Sequence, residues 1–480
     1  MATSRIIGLV FGPSLFLLLL RIPHPEPLNI AAWSVIGVMA LMIVWWVTEA
    51  VPLAVTALLP LVLLPLLGIS PMKEAAAPYS DPIVWLFFGG FMIARALEKW
   101  GLHQRIALRI ILITGTNANG ILLGFMCATA FLSMWISNTA TAALMLPIAA
   151  SVITMLNSTE ARHNKIGMRN FALSLMLLIA YGANIGGTAT LVGTPPNLVL
   201  AGIMRSNHQL EIEFAQWSLM AIPFALVLLG TTYVAVVLWL YPNSLGALEG
   251  GRSQIKAQYQ SLGARSKEET RTLCIFVLTA LCWTFREQIN ELLLHPSVLT
   301  DPEIAVWAAI LLFVVPRSSL NSKRLLEWED TQKLPWGILL LFGGGLSLAG
   351  AMERTGIVAA VAAQFAALGR FEFWLLVAVT AGALLMTEIM SNLALVTVLV
   401  PVVGGMANGL GVNPLLACIP VTLAASCAFM LPMSTPPNAI VFASGHVTIR
   451  QMVRAGLVLN VAALALIALL SATLLPWIFD

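Results

Sequence analysis

The sequence predicts an all-α polytopic membrane protein of about 11 transmembrane helices, with two re-entrant hairpins in an inverted two-fold repeat. Three observations predict it. Of 480 residues, 59% are hydrophobic and only 10% charged, whereas soluble domains carry about 25% charged residues. The polar turn Ser137-Asn138-Thr139-Ala140 interrupts an apolar run whose arms, about 118–136 and 140–156, are together too short for two spans of about 20 residues. The turn returns as Ser391-Asn392-Leu393-Ala394, 254 residues later, with Pro401 matching Pro147 and Phe342-Gly343-Gly344 matching Phe88-Gly89-Gly90 at the same offset.

A polar turn at membrane depth is tolerated only inside protein or beside a water-filled cavity, so each turn reads as the tip of a hairpin, 118–156 and 372–410. Each is followed by a second shared motif. Gly193-Thr194-Pro195-Pro196-Asn197 pairs with Ser434-Thr435-Pro436-Pro437-Asn438. Two consecutive prolines remove backbone donors and clash with the preceding turn, so the helix unwinds there. Repeats whose helices break at corresponding positions point to a transporter with a midplane site.

The chain divides into 1–30 (a first helix), 31–242 (first repeat), 243–271 (a polar linker) and 272–480 (second repeat). Spans are expected at about 6–21, 31–48, 51–68, from Pro82 onward, 170–204 (broken) and 215–241. The second half adds 272–285, 302–316, 335–350, 414–444 (broken) and 455–478. Stretches 99–109 and 351–370 suit helices lying in the interface. No small-residue cleavage site follows the first apolar run, so the first helix reads as one that stays.

Alternating these spans puts eighteen Lys/Arg on one side and six on the other. The positive-inside bias sets the richer side in the cytoplasm, with the N-terminus inside and the C-terminus outside an inner membrane. The first hairpin then enters from the cytoplasm and the second from outside, as an inverted repeat requires. A net charge of +3 gives no reason to expect a nucleic-acid partner. The five cysteines lack metal-ligand spacing and read as small apolar residues.

A site made of Ser, Thr, Asn and exposed backbone offers neutral oxygens to a small hard cation, and N–H and O–H donors to an anion. The arm after each tip directs its helix N-terminus into the site. No Lys or Arg occurs in either tip or either Thr-Pro-Pro-Asn motif, so a bound anion needs co-bound cations. The competing reading, Ser/Thr/Asn as interhelical glue, does not account for four motifs related by a repeat.

The run Ser426-x-x-Phe429-x-x-Pro432-Met433-Ser434-x-x-x-Asn438-x-Ile440-Val441, with both tips and both Thr-Pro motifs, resembles the divalent-anion/sodium symporter family of dicarboxylate and sulfate transporters. The resemblance covers essentially the whole chain. It implies a homodimer of elevator-type transporters in which the hairpins and the spans at 170–204, 215–241, 414–444 and 455–478 move against a scaffold. It implies a sodium site at Ser133, Ser137, Asn138 and the backbone near Gly193, and another at Thr387, Asn392 and the backbone near Met390 and Ser434. Substrate contacts would come from Asn138, Thr139, Thr194, Pro195, Ser391, Asn392, Thr435 and Pro436. Sodium is then the coupling ion at two or more sites, no organic cofactor is expected, and the partners are a small divalent anion and membrane lipid. Many dicarboxylate carriers of the family have Ser-Asn-Thr at both tips; here Leu393 removes one hydroxyl.

The family resemblance favours sodium-coupled symport of a C4-dicarboxylate (succinate, malate, fumarate). Sulfate or citrate symport and sodium-independent dicarboxylate exchange are the neighbouring readings. Arsenite transport or sodium–proton exchange lacks the signature at 426–441. An enzyme would need a nucleophile–base pair, a metal cluster or a nucleotide loop, and the sequence offers none. Glu49 and Glu388 lie in or near apolar sequence, where carboxylates are functional candidates. Glu388, one helical turn before Ser391, is placed to steady the tip or hold a proton. Arg95 and Glu98 are spaced to pair, and Gly343-Gly344-Gly345 reads as close helix packing.

Overall fold

A computed structural model describes residues 2–115, 117–159, 164–246, 251–292, 299–317, 323–366 and 373–479. Arg162 and Arg370, two of the orientation charges, lie outside them. The described residues are helical, with one isolated bridge, Pro316–Arg324, and no strand.

Helix α1 (Ala2–Arg21) packs along α2 (Ile30–Thr48), which starts at Asn29, whose side chain accepts from Ala32 N. The span expected at 51–68 is split into α3 (Leu53–Thr56) and α4 (Leu59–Leu66), where Pro60 has no N–H to continue the ladder. Next come α5 (Met72–Ala76), a 3-10 turn and α6 (Pro82–Lys99), which begins at Pro82 with Asp81 as its cap. Gly101, at φ 69°, turns the chain into α7 (Leu102–Ile113). The first hairpin is α8 (Ala118–Ser133) and α9 (Asn138–Thr159). The broken fifth span is α10 (Lys165–Thr188) and α11 (Pro195–His208), followed by α12 (Phe214–Tyr233) with a π-helical extension, Val234–Leu240.

The linker carries a helix that its polarity did not announce, α13 (Gly251–Ser261). Then α14 (Lys267–Thr284) bends by 78° into α15 (Arg286–Leu292), and α16 (Asp301–Val314) packs along α6. The rest comprises α17 (Trp336–Arg354), α18 (Ile357–Ala366), the second hairpin α19 (Phe373–Met386) and α20 (Asn392–Gly409), the broken pair α21 (Pro414–Ser426) and α22 (Pro436–Ala443), and α23 (Ile449–Ala472) with α24 (Leu474–Phe479).

Among the described residues eight helices, or nine if the bent pair α14–α15 is one span, are long and apolar enough to cross a membrane. Two of these, α9 and α20, are hairpin arms, so six, or seven with the bent pair, stand against the eleven spans expected outside the hairpins. The shortfall includes places where the sequence breaks or shortens a helix: α3–α4, the 14-residue α16, and the α21–α22 pair. Small residues set the closest approaches. A Cβ on Gly89 would lie 2.4 Å from the Ala305 carbonyl oxygen, and one on Gly344 2.1 Å from that of Ala57, which bears out close packing at the Gly343–Gly345 run.

The stretch at 99–109 was expected to present Arg105 in the interface. Arg105 is instead 6% exposed and closes on Glu269, its Nε donating to both carboxylate oxygens at 3.2 and 3.1 Å. Its Nη atoms donate to the Gly263 and Leu262 carbonyls at 3.0 and 3.2 Å. Glu269 also accepts from Ser266 N at the start of α14, so one carboxylate joins α7 to the linker. Arg95 and Glu98 do pair, at 3.4 Å, and Asp330 adds contacts to Arg95 at 3.6 Å and Lys99 at 2.6 Å. Of the cysteines, Cys418 and Cys427 are buried while Cys274 is exposed.

Removing one partner of a buried pair leaves an uncompensated charge, at about 3–5 kcal/mol, whereas replacing both with apolar groups is often nearly neutral. Glu269→Ala is therefore expected to lower the Tm of the detergent-solubilised protein markedly. The double variant Arg105→Met/Glu269→Leu should recover most of the loss. Equal losses in the two would contradict the pairing.

Candidate functional site

The first tip closes on itself. Ser133, fully buried at the end of α8, places its Oγ 2.7 Å from Asn138 Oδ1 at the start of α9 and 2.8 Å from the Ala183 carbonyl of α10. The second tip repeats the contact. Thr387 Oγ1 lies 2.8 Å from Asn392 Oδ1 and 2.5 Å from the Ala425 carbonyl of α21. Ser133 and Thr387, like Asn138 and Asn392, differ by the 254 residues read from the sequence. Each cluster has one hydroxyl proton among three oxygens, and a hydroxyl donates to one acceptor at a time. An excess of neutral oxygen lone pairs is what a small hard cation uses.

The remaining residues of the first site gather on this core. Ser137 Oγ accepts from Ala140 N at 3.3 Å. Gly187 lies against Asn138: a Cβ there would be 2.4 Å from Asn138 Oδ1. Gly193 is equally close to Gly187, and a Cβ on it would stand 3.0 Å from the Ser133 carbonyl oxygen. Thr194 is buried, Pro195 half-buried, and Thr139 exposed beyond the tip. At the second site Ser391 and Met390 are half-buried, Ser434 and Thr435 buried, and Pro436 exposed. Leu393 is 8% exposed and belongs to the apolar core, so it presents neither a hydroxyl nor an open surface.

The broken helices bring the two halves together. The first tip's α9 packs against α22, and the second tip's α20 packs against α11. Asn184, on α10 beside Ala183, donates through Nδ2 to Thr435 Oγ1 at 3.1 Å and to Asn438 Oδ1 at 3.3 Å.

Each break is held by the asparagine ending its Pro-Pro-Asn motif. Asn197 Nδ2 is 2.8 Å from the Thr190 carbonyl and 3.4 Å from those of Gly187 and Thr188. Asn438 Nδ2 reaches the Ala428 and Leu431 carbonyls, both at 3.1 Å, and Ser434 Oγ at 3.2 Å. Thr190 Oγ1 donates to the Met134 carbonyl at 2.5 Å and accepts from Gly193 N at 3.1 Å. Neither Asn197, Asn438 nor Asn184 stood among the expected site residues. The two motif asparagines were visible in the sequence as the last residue of each repeated motif.

Glu388 is 2% exposed and accepts from three successive backbone N–H groups of the α21–α22 break. Phe429 N lies 2.8 Å from Oε1, Met430 N 3.0 and 3.1 Å from the two oxygens, and Leu431 N 3.2 Å from Oε2. Asn460 Nδ2 of α23 adds a bond of 2.9 Å to Oε1. Successive N–H groups converging on one point make an anion nest, here filled by the protein's own carboxylate. All five contacts are donated to Glu388, whose two oxygens act there only as acceptors. Glu388 therefore steadies the break behind the second tip. Glu49, the other carboxylate singled out, caps α2 at φ 47° with its side chain 67% exposed, 3.7 Å from Arg5; it lies at a helix end, away from both tips' contacts.

A family model described as "Sodium:sulfate symporter transmembrane region" matches residues 3–479. The chain is 40% identical over 478 residues to a protein named sodium-dependent dicarboxylate transporter SdcS from Staphylococcus aureus strain MRSA252, covering 99% of this chain and 92% of that one. It is 39% identical to the protein of the same name from strain USA300, with the same coverage. Among solved structures, the YdaH transporter of Alcanivorax borkumensis aligns with a TM-score of 0.53 at 11% identity, over 98% of this chain and 97% of that chain, a likeness of fold alone. This is a multi-pass membrane transporter rather than an enzyme, and the chain belongs to the sodium:sulfate symporter family.

Proposed function

We propose that the protein is a sodium-coupled symporter that carries a divalent anion into the cell, with C4-dicarboxylates such as succinate, malate and fumarate as substrates. The observation that carries this reading is the duplicated oxygen cluster, Ser133–Asn138–Ala183 and Thr387–Asn392–Ala425. Two cation sites built from neutral oxygens, with no basic side chain in either tip, suit an anion that enters with its counter-ions. The relatives named for sodium-dependent dicarboxylate transport support the choice of ion and substrate class.

In this reading sodium is held by Ser133, Ser137, Asn138 and the Gly193 backbone, and by Thr387, Asn392 and the backbone at Met390 and Ser434. The anion lies between the tips, met by Asn138, Thr139, Thr194 and Pro195 from one half and by Ser391, Asn392, Thr435 and Pro436 from the other. The moving body of the elevator comprises α8–α12 and α19–α24, working in a homodimer with its N-terminus in the cytoplasm and its C-terminus outside. Sulfate is the second reading, supported by the description of the matching family model as a sodium:sulfate symporter region.

Uptake of labelled succinate into proteoliposomes is expected to require an inward sodium gradient and to resist competition by sulfate and citrate. Sodium-independent uptake driven by preloaded dicarboxylate would make the protein an exchanger, and sulfate entry without succinate entry would establish the second reading. Asn138→Ala and Asn392→Ala should each reduce uptake at least tenfold in protein that remains monodisperse; wild-type rates in both would remove the tips from the site. Glu388→Gln turns an amide NH2 toward backbone N–H groups. With charged hydrogen bonds contributing about 1.5–3 kcal/mol each, it is expected to lower Tm and slow uptake. Unchanged Tm would show that the nest is held by other contacts.

A further inference from the structure

A groove of about 1030 Å³ opens between the start of α10, the end of the π-helical extension of α12 and the start of α23. All three helices are long and apolar enough to cross the membrane, so their ends set the groove at the membrane–water boundary. Arg169, Arg450 and Arg454 line it, all exposed, and among the described residues none of them stands in an ion pair. Exposed apolar side chains, Ile166, Ile449 and Leu457, share its wall.

The electrostatics of this place are unfavourable as they stand. Helix N-termini carry partial positive charge, and sequences ordinarily put Asp or Glu in the first turn. Neither α10 nor α23 has an acidic residue there, while Lys165 and Arg450 occupy those turns and Arg169 and Arg454 follow one turn later. Three of these cations, Arg169, Arg450 and Arg454, and two helix N-termini meet on one concave surface. The walls are fixed without using the arginines: Tyr241 Oη donates to the Gln451 carbonyl at 2.9 Å, and Asn170 Nδ2 to that of Pro242 at 2.8 Å. An anion in the groove relieves the repulsion, and the apolar wall beside it suits an acyl chain.

We propose that this groove binds the headgroup of an anionic phospholipid, its phosphate set among Arg169, Arg450 and Arg454 and its chains along Ile166, Ile449 and Leu457. Basic pockets between membrane helices are where such headgroups are held. Because α10, α12 and α23 all fall in the body proposed to move, a lipid bound here is attached to that body.

The test is a lipid titration of the purified, detergent-solubilised protein by native mass spectrometry, with phosphatidylglycerol and phosphatidylcholine as probes. Phosphatidylglycerol should bind preferentially. At about 1 kcal/mol per basic residue, each Arg→Gln change should weaken it about fivefold and the triple variant about a hundredfold. Arg→Lys versions, which keep the charge, should retain most of the affinity and guard against misfolding. Millimolar inorganic phosphate should leave the lipid bound. Equal affinity for the two lipids, or an unaltered triple variant, would overturn the proposal; displacement by phosphate would assign the groove to a soluble anion instead. The readout is binding, so its failure is separate from any failure of the transport assignment.

Discussion

The structure depends on one constraint: a backbone that stops being helical inside a membrane must still satisfy its N–H and C=O groups, since each orphan there costs several kcal/mol. Four of the interruptions lie at the repeated motifs, two at hairpin tips and two at Pro-Pro breaks. At the α21–α22 break six such backbone groups find partners within the protein. The N–H groups of Phe429, Met430 and Leu431 go to Glu388, and the carbonyls of Ala428 and Leu431 to Asn438. The carbonyl of Phe429 accepts from Tyr181 Oη at 3.1 Å. The prolines open the helix, and buried amide side chains close the ledger they open. The exposed dipoles left near the tips are held in place before any ligand arrives, which is what a selective site needs.

The two halves meet this constraint differently. The residue 254 positions before Glu388 is Met134, whose carbonyl accepts from Thr190 Oγ1. One half therefore fastens its break with a neutral hydroxyl and the other with a carboxylate. The carboxylate reaches three elements at once: it sits just past α19, binds the α21–α22 break and receives Asn460 from α23. Among the described residues no Lys or Arg pairs with it. Its oxygens are met by N–H donors alone, a carboxylate-filled nest that the first half lacks.

What could be read from the sequence was local or repeated. The tips, the Pro breaks, the Gly343–Gly345 packing and the Arg95–Glu98 pair are matters of spacing along the chain, and duplication made the tips and breaks conspicuous. The illegible parts are meetings across distance. Arg105 looked like one more interfacial cation until Glu269, 164 residues on, was found against it. Glu388 was visible as an odd carboxylate, but its partners at 429–431 and 460 come only with the fold. Glu49 looked alike in sequence and ended as an exposed helix cap. The span count fell below expectation in part because hydropathy sees one apolar run where Pro60 divides it into helices too short to cross alone, whereas the cut at Pro436–Pro437 was announced by the doubled proline itself.

The proposed motion has to exchange contacts at a definable place. Trp135, two residues before Ser137, stacks on Phe214 with ring centroids 6.0 Å apart, and Phe214 stacks on Trp283 of α14 at 4.8 Å. Phe214 N, the first N–H of α12, is capped by Asp301 of α16 at 2.8 Å, and Arg286 holds that carboxylate at 3.2 Å while also pairing with Glu213. In an elevator built from α8–α12 and α19–α24, this aromatic and ionic junction joins the moving body to the rest. The contacts of Ser133, Asn184 and Glu388, in contrast, all lie within the body. A slide that keeps the second set and breaks the first leaves the binding geometry intact on both sides of the membrane.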